Sequence, residues 1–459
     1  MKKKIFKIIG TILIIGVSGL GIFVALNWNE YSTMIKNNTM NGEVQKIPES
    51  RTVNISDITF GDEDWSGWRG NDGENHQIIK NLKMDWSKGL TKKWEINFLC
   101  SGENSSTWSA PSVQGNRLIV CGRDKENDIV FCLNPETGEL LWKKTNSAKP
   151  ASDSYGTGFR ATPFIDKDRV YTFSRSGDLI CWNLFDGEKI WHKNVNDFGG
   201  EEPKWGHSTS PLVTEKYIIV NGGGSARTIA FDKKNGELKW KTGENKAGYA
   251  ALRKIILNGV PAVLSFYGEG IAAMDIETGK LLWNSEWKTS YDVNATTPVY
   301  KDNLIFITSG YNTGCSLLEA NEKSVKTLWK NKSIAAHHSD PFIFGEYIYG
   351  YSGQSTQNAG YFKCVEFKTG KEKWRSNEAG WGFGVGVNKE YILTCDIKGN
   401  LYLIKPNPDK FILVTRVNNL LGEVSGAHWT TPVLSNGNLY LRYNQKLVCY
   451  NIRNDDIKK

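Results

Sequence analysis

From about residue 91 onward the chain is written in short apolar runs, each closed by a turn. Residues 207 to 240 show the unit. Pro211-Leu212-Val213 opens one strand, Tyr217-Ile218-Ile219-Val220 makes a second and Thr228-Ile229-Ala230-Phe231 a third. These runs are rich in β-branched and aromatic residues, which suit a pleated, half-buried surface. Asp232 to Gly236 then turns, and Glu237-Leu238-Lys239-Trp240 is the fourth strand. The end of this unit returns as Cys132 to Trp142, Cys181 to Trp191, Ala230 to Trp240, Ala273 to Trp283 and Cys364 to Trp374, at a spacing of roughly 43 to 49 residues. One such repeat is too small to bury a face alone, so repeats must stack around a common axis. The fold class is therefore all-β, an eight-bladed β-propeller.

The turn and the tryptophan carry the repeat. Gly138, Gly187, Gly236, Gly279 and Gly370 share one position, where a tight hairpin needs positive φ. Asn134, Asn183, Asp232 and Asp275 stand where a side chain can bond the turn's own amides. The structural tryptophans are Trp94, Trp142, Trp191, Trp240, Trp283, Trp329 and Trp374. A large apolar face at a fixed place on an outermost strand reads as a staple over the neighbouring blade.

The blade count exposes a seam. After Trp374, Tyr391 to Thr394 and Leu401 to Leu403 make an irregular seventh blade in which Phe411 or Val414 is expected to replace the tryptophan. Pro432 to Tyr450 supplies three strands of an eighth and no fourth. Lys92-Lys93-Trp94-Glu95-Ile96 is a fourth strand with no blade before it. Pairing the two closes the ring and removes its open edges.

The N-terminal part has another grammar. Residues 1–7 are basic, and Ile8 to Leu26 form about 19 residues without a charge, enough to cross a bilayer core of ~30 Å. The leading lysines stay cytoplasmic, which places the rest outside. The expectation is a single-pass membrane anchor over 8–26 with an extracytoplasmic (periplasmic) propeller; a cleaved signal peptide is the rival. No cysteine precedes Cys100, which argues against a lipid-modified N-terminal cysteine. Residues 27–60 are polar and aperiodic and read as a flexible linker. Residues 61–90 are expected to pack as an ordered lead-in to the propeller at 91–452.

The net charge of +8 changes little, because Lys2, Lys3, Lys4 and Lys7 supply half of it and the remainder is scattered. No nucleic-acid stripe is present. The eight cysteines do not read as disulfides. Cys132, Cys181, Cys364 and Cys449 share a slot that Ala230 and Ala273 also fill, so the slot asks for a small buried side chain.

The pattern small-x-Asp/Asn-x-x-Thr-Gly-x-x-x-Trp resembles the repeat of pyrroloquinoline-quinone-like propellers over residues 91 to 452. That family includes quinoprotein dehydrogenases and the propeller lipoprotein of the outer-membrane β-barrel assembly machinery. Trp65-Ser66-Gly67-Trp68-Arg69-Gly70-Asn71-Asp72-Gly73 is similar to the opening of a group of exported bacterial propellers. The resemblance implies a central funnel holding a quinone and calcium in the dehydrogenases. This chain lacks their adjacent cysteines and funnel-building insertions. No catalytic residue, metal site or quinone-binding set can be placed by motif, so no cofactor is expected.

One constellation does point to binding. Four residues before each strand-opening proline stand Thr107, Phe159, His207, Asn294, His337 and His428. One residue further stand Trp108, Arg160, Ser208, Ala295, His338 and Trp429. The ligand-binding candidates at the mouth of the axial channel are Trp108, Arg160, His207, Asn294, His337, His338, His428 and Trp429. Together they suit a small anionic or sugar-like ligand. The expected function is a non-catalytic scaffold or ligand-binding module of the bacterial envelope with protein partners. The alternatives are a quinone- or metal-dependent oxidoreductase and a carbohydrate-binding module.

Overall fold

Eight antiparallel sheets arise from the eight repeats, and a computed structural model shows how they meet. It describes residues 44–49, 61–151, 155–354, 359–424 and 428–454. The expected anchor at residues 8–26 lies outside the described residues; among those described, no helix is long and apolar enough to cross a membrane. In the first seven blades the strands run in chain order from the axis outward. The third blade, for example, is Leu212–Val213, Tyr217–Val220, Thr228–Asp232 and Leu238–Thr242. The middle strands are almost wholly buried between neighbouring blades, and these inter-blade layers form the core.

The ring closes at the seam. Val433–Ser435, Asn438–Tyr443 and Lys446–Asn451 make three strands of the last blade, and Thr91–Ile96 adds the fourth in antiparallel register. Trp94 stands opposite Cys449 there, as Trp142 stands opposite Cys132 in the first blade.

The staple has a definite chemistry. Each indole Nε1 donates to a backbone carbonyl of the next blade: Trp94 to Pro135 at 2.9 Å, Trp142 to Leu184 at 2.9 Å, Trp240 to Ile276 at 3.2 Å. Trp191, Trp283, Trp329 and Trp374 donate to Lys233, Asn321, Phe367 and Asn407 in the same way. The ring lies flat against the turn glycine. At Gly279, φ is +70° and an added Cβ would sit 2.5 Å from the Trp240 ring. The turn therefore needs glycine twice, for its backbone conformation and for the approach of the indole. The fifth blade lacks the Thr-Gly turn, yet Asn321 O still receives the Trp283 indole.

The seventh blade departs from expectation. A bulge between Leu403 and Ile404 sets Thr415 opposite Leu403, so Thr415 holds the staple position. Phe411 instead packs edge-on against Trp374, and Val414 is one residue off the position. With no indole to donate, Ile452 O in the eighth blade accepts from the Lys83 amide at 2.9 Å. Trp86 of the same segment is buried, gives its Nε1 to Lys83 O at 2.8 Å and donates its amide N–H to Thr415 Oγ1 at 3.0 Å. The lead-in thus replaces the missing staple.

The same lead-in plugs the axis. Trp65 pairs with Val113 of the first blade, and Ser66 O accepts from Ile165 of the second. Gly67 lies so close to Phe164 that a Cβ would come within 2.3 Å of its ring. Arg69 crosses to Asp340 before the sixth blade, 2.7 Å apart, with both side chains under 5% exposed. His76–Gln77 then adds in parallel to the innermost strand of the seventh blade, Gly382–Val387. One segment contacts the inner ends of blades all round the ring.

All eight cysteines are free and buried. Burial raises the thiol pKa of Cys181 and Cys449 to about 12, which leaves them small inert hydrophobes.

Candidate functional site: an aromatic funnel

The loops that lead into the innermost strands surround an open cavity of about 170 Å³, and Trp68 of the plug contributes to its lining. Trp68 is held there by its Nε1 bond to Thr297 Oγ1 at 3.0 Å. The two sequence positions four and three residues before each strand-opening proline behave differently. Thr107, Phe159, His207, Asn294, His337 and His428 are all buried. Trp108, Arg160, Ser208, Ala295, His338 and Trp429, one residue later, all line the cavity. Successive residues in extended backbone point to opposite sides, so one register faces the axis, and of the other only His337 reaches the cavity.

Of the expected binding residues, Trp108, Arg160, His337, His338 and Trp429 are thus brought together. His207, Asn294 and His428 stand behind the wall. Asn294 ties its loop by donating to Tyr267 O at 2.7 Å and Trp287 O at 3.2 Å, and by accepting from the Thr289 and Ser309 hydroxyls. The His207 ring packs on Phe173 at 5.1 Å, and His428 stands edge-on to Tyr443 at 6.0 Å. Contrary to expectation, these three are wall residues and not rim residues.

Reasoning from the prolines missed Tyr155, Trp205, Tyr249, Tyr311 and Phe383, which also line the cavity. With them the aromatic contacts become continuous. His337 stacks on His338 at 3.7 Å, His338 meets Trp429 at 5.2 Å, and Trp429 meets Trp108 at 5.0 Å. On the other side Tyr311 stands edge-on to His337, Tyr291 to Tyr311, and Trp205 to Tyr291. The signal in the sequence was the surplus of aromatics, 17 Trp, 18 Tyr and 19 Phe, well beyond the seven tryptophans at staple positions.

The electrostatics are simple. Burial lowers His337 to about 4; His338 lies well below 6.5 through burial, then His337 and the Arg160 guanidinium. Both imidazoles are neutral near pH 7. Burial raises Tyr249 and Tyr311 to about 12, so they remain protonated. Arg160 is anchored by donating to Trp205 O at 2.6 Å and Gly156 O at 3.1 Å. It is the one charged side chain among the described lining residues.

This lining does not fit a calcium-held quinone. No carboxylate, amide or cysteine side chain is among the described lining residues, and hard cations take oxygen ligands. Among the described residues no three His, Cys, Asp or Glu side chains are placed to share a metal ion.

Comparison with known proteins agrees with the fold. The chain is 22% identical over 217 residues to the outer membrane protein assembly factor BamB of Moranella endobia, covering 47% of this chain and 51% of that protein. It is 22% identical over 240 residues to the BamB of Yersinia pestis, 48% of this chain and 55% of that one. It thus spans about half the length of these curated relatives. It also matches a tetrathionate hydrolase of Acidithiobacillus ferrooxidans, 24% identical over 234 residues, 46% of this chain and 43% of the other. Among solved structures, BamB from Moraxella catarrhalis superposes with a TM-score of 0.53 at 16% identity, covering 80% of this chain and 98% of that one. A quinohemoprotein alcohol dehydrogenase from Comamonas testosteroni gives 0.59 at 11% identity, over 86% of this chain and 81% of that one. Identities this low show the fold alone. The model of the PQQ_2 family, described as outer membrane protein assembly factor BamB, matches residues 126–376, more than half of the sequence, and the chain belongs to that family.

Proposed function

We propose that this protein is a non-catalytic propeller that holds protein partners at the cell envelope. The observation that carries the reading is the funnel wall: a belt of aromatic rings with one guanidinium and no carboxylate or thiol among its described residues. Such a wall supplies stacking area and orientation, the properties of a binding site. It supplies no nucleophile activated by a neighbouring base, and imidazoles that burial holds below their usual range are weak bases at neutral pH. The relatives are named for outer membrane protein assembly, which supports a scaffold's role at the envelope. The charge-free run from Ile8 to Leu26 behind a basic N-terminus supports a single-pass anchor with the ring outside the cytoplasm.

Two measurements test this. The full chain, solubilised from membranes in mild detergent, should retain a defined set of envelope proteins through affinity purification; recovery of none contradicts the scaffold reading. Titration with pyrroloquinoline quinone and Ca²⁺ should produce neither cofactor absorbance nor dye reduction. Saturable reduction would restore the oxidoreductase alternative.

A further inference from the structure

The belt does not stop inside the funnel. Tyr291 continues it to the rim, where its side chain is 61% exposed. Its ring stands edge-on to Trp205 and Tyr311, and the Lys204 ammonium lies 5.3 Å from its centroid and 4.8 Å from that of Trp205. Tyr291 and Tyr311 both hold positive φ, 62° and 53°. Bulky side chains rarely accept that conformation, and the cost of holding it is tolerated mainly where a site needs the geometry. A solvent-exposed tyrosine, held in a strained backbone at the lip of an aromatic cavity, is positioned to meet something from outside.

Size and charge limit what that is. A cavity of about 170 Å³ admits one ring-sized group; an apolar cavity of ~150 Å³ accepts benzene. A sugar would bring many hydroxyls, and each one buried without a partner costs free energy. The exposed wall is mostly apolar ring surface, with Arg160, Ser208, Ser210 and the histidine and tyrosine heads as its polar groups. A cation is disfavoured by Lys204 at the lip. Lys204 makes no ion pair among the described residues, whereas the nearby Lys246 is neutralised by Asp292 at 2.8 Å. Glu202 beside it turns to Arg175.

We propose that the funnel receives an aromatic side chain from an acidic segment of a protein partner, with the ring among Trp205, Tyr311 and Trp429 and a flanking carboxylate at Lys204. This deepens the scaffold reading and rests on it. The arrangement is that of an interface anchor: a rigid aromatic pocket takes one buried ring, and charged groups at its edge set the preference among partners.

The test is calorimetric titration of the full chain in detergent with three end-blocked heptapeptides: one with Asp-Trp-Asp at its centre, one with Asp-Ala-Asp and one with Lys-Trp-Lys. The Asp-Trp-Asp peptide should bind at least about tenfold more tightly than the other two, the scale expected for a single aromatic anchor. Trp205→Ala and Tyr291→Ala should each weaken it about tenfold, and Lys204→Glu should remove the preference for acidic flanks. Tyr291 is mostly exposed, so Tyr291→Ala should melt like the parent and decides the matter if Trp205→Ala destabilises the ring. Tyr361→Ala, exposed on another part of the surface, should change nothing. Equal binding of the Asp-Ala-Asp peptide, or equal weakening by Tyr361→Ala, overturns the proposal. Indole-3-acetate binding as tightly as the peptide overturns the protein-partner assignment. Should the parent and the Trp205→Ala/Tyr291→Ala variant retain the same envelope proteins, this inference fails while the scaffold reading stands.

Discussion

The junction between the sixth and seventh blades and the junction between the seventh and eighth are closed with different material. In the first, Trp374 of one blade gives its indole N–H to Asn407 O of the next, 2.9 Å away. In the second, the staple residue is Thr415, and the acceptor that an indole would reach, Ile452 O, is taken by the Lys83 amide. Trp86 brings the missing aromatic bulk from more than three hundred residues away in sequence. Six other junctions use the local device. The remaining one is completed by a segment that also crosses the axis and binds Asp340 through Arg69. The lead-in is therefore part of the ring, and losing it should cost more than losing an ordinary N-terminal extension.

The sharpest way to break that comparison is to remove the closing strand. Deleting residues 91–96 strips the last blade of its outer strand and should abolish cooperative melting, whereas deleting residues 1–43 should leave the melt of the ring unchanged. Next in size is the plug's ion pair. Arg69→Met leaves Asp340 buried without its partner and should cost about 3–5 kcal/mol by chemical denaturation. The double variant Arg69→Met/Asp340→Leu should recover part of that loss, because both charges are then gone. At an ordinary junction, Trp142→Ala should cost about 3–5 kcal/mol through lost packing. Trp142→Phe should cost nearer 1 kcal/mol for the bond to Leu184, plus the smaller ring. At the seam, Thr415→Val should cost about 1 kcal/mol, because only the acceptor for the Trp86 amide is lost.

The smallest effect concerns pH. His207 and His337 titrate at about 4 in the folded ring against 6.5 ordinarily, because burial disfavours the charged imidazole. Between those values the unfolded chain binds more protons than the folded one. Their contribution to stability therefore falls as pH drops from 6.5 toward 4 and is constant above 6.5. His207→Phe should melt with a smaller difference between pH 7 and pH 5 than the parent.

The regular part of this architecture was legible because it repeats. Gly138 and Trp142 recur at fixed spacing, and the surplus strand at Thr91–Ile96 forced the closure with Lys446–Asn451. The path of the lead-in was not legible. Trp86 belongs to no repeat, and nothing local shows that it answers Thr415. The funnel was half legible: the repeat aligned equivalent loops, yet two of the four histidines chosen for their chemistry, His207 and His428, sit in the wall. Their neighbours face the axis, a matter of strand alternation rather than residue type. Tyr249 and Tyr311 lie outside the proline frame and were visible only as surplus aromatics.

Native-state hydrogen exchange tests the central claim most directly. If the lead-in and the closing strand belong to the ring, the amides of Lys83, Trp86 and Ile96 should exchange only with global unfolding, at the rate of Ile219 in the third blade. Exchange of Lys83 and Trp86 on the fast timescale of a frayed end, with Ile219 still protected, would contradict the account.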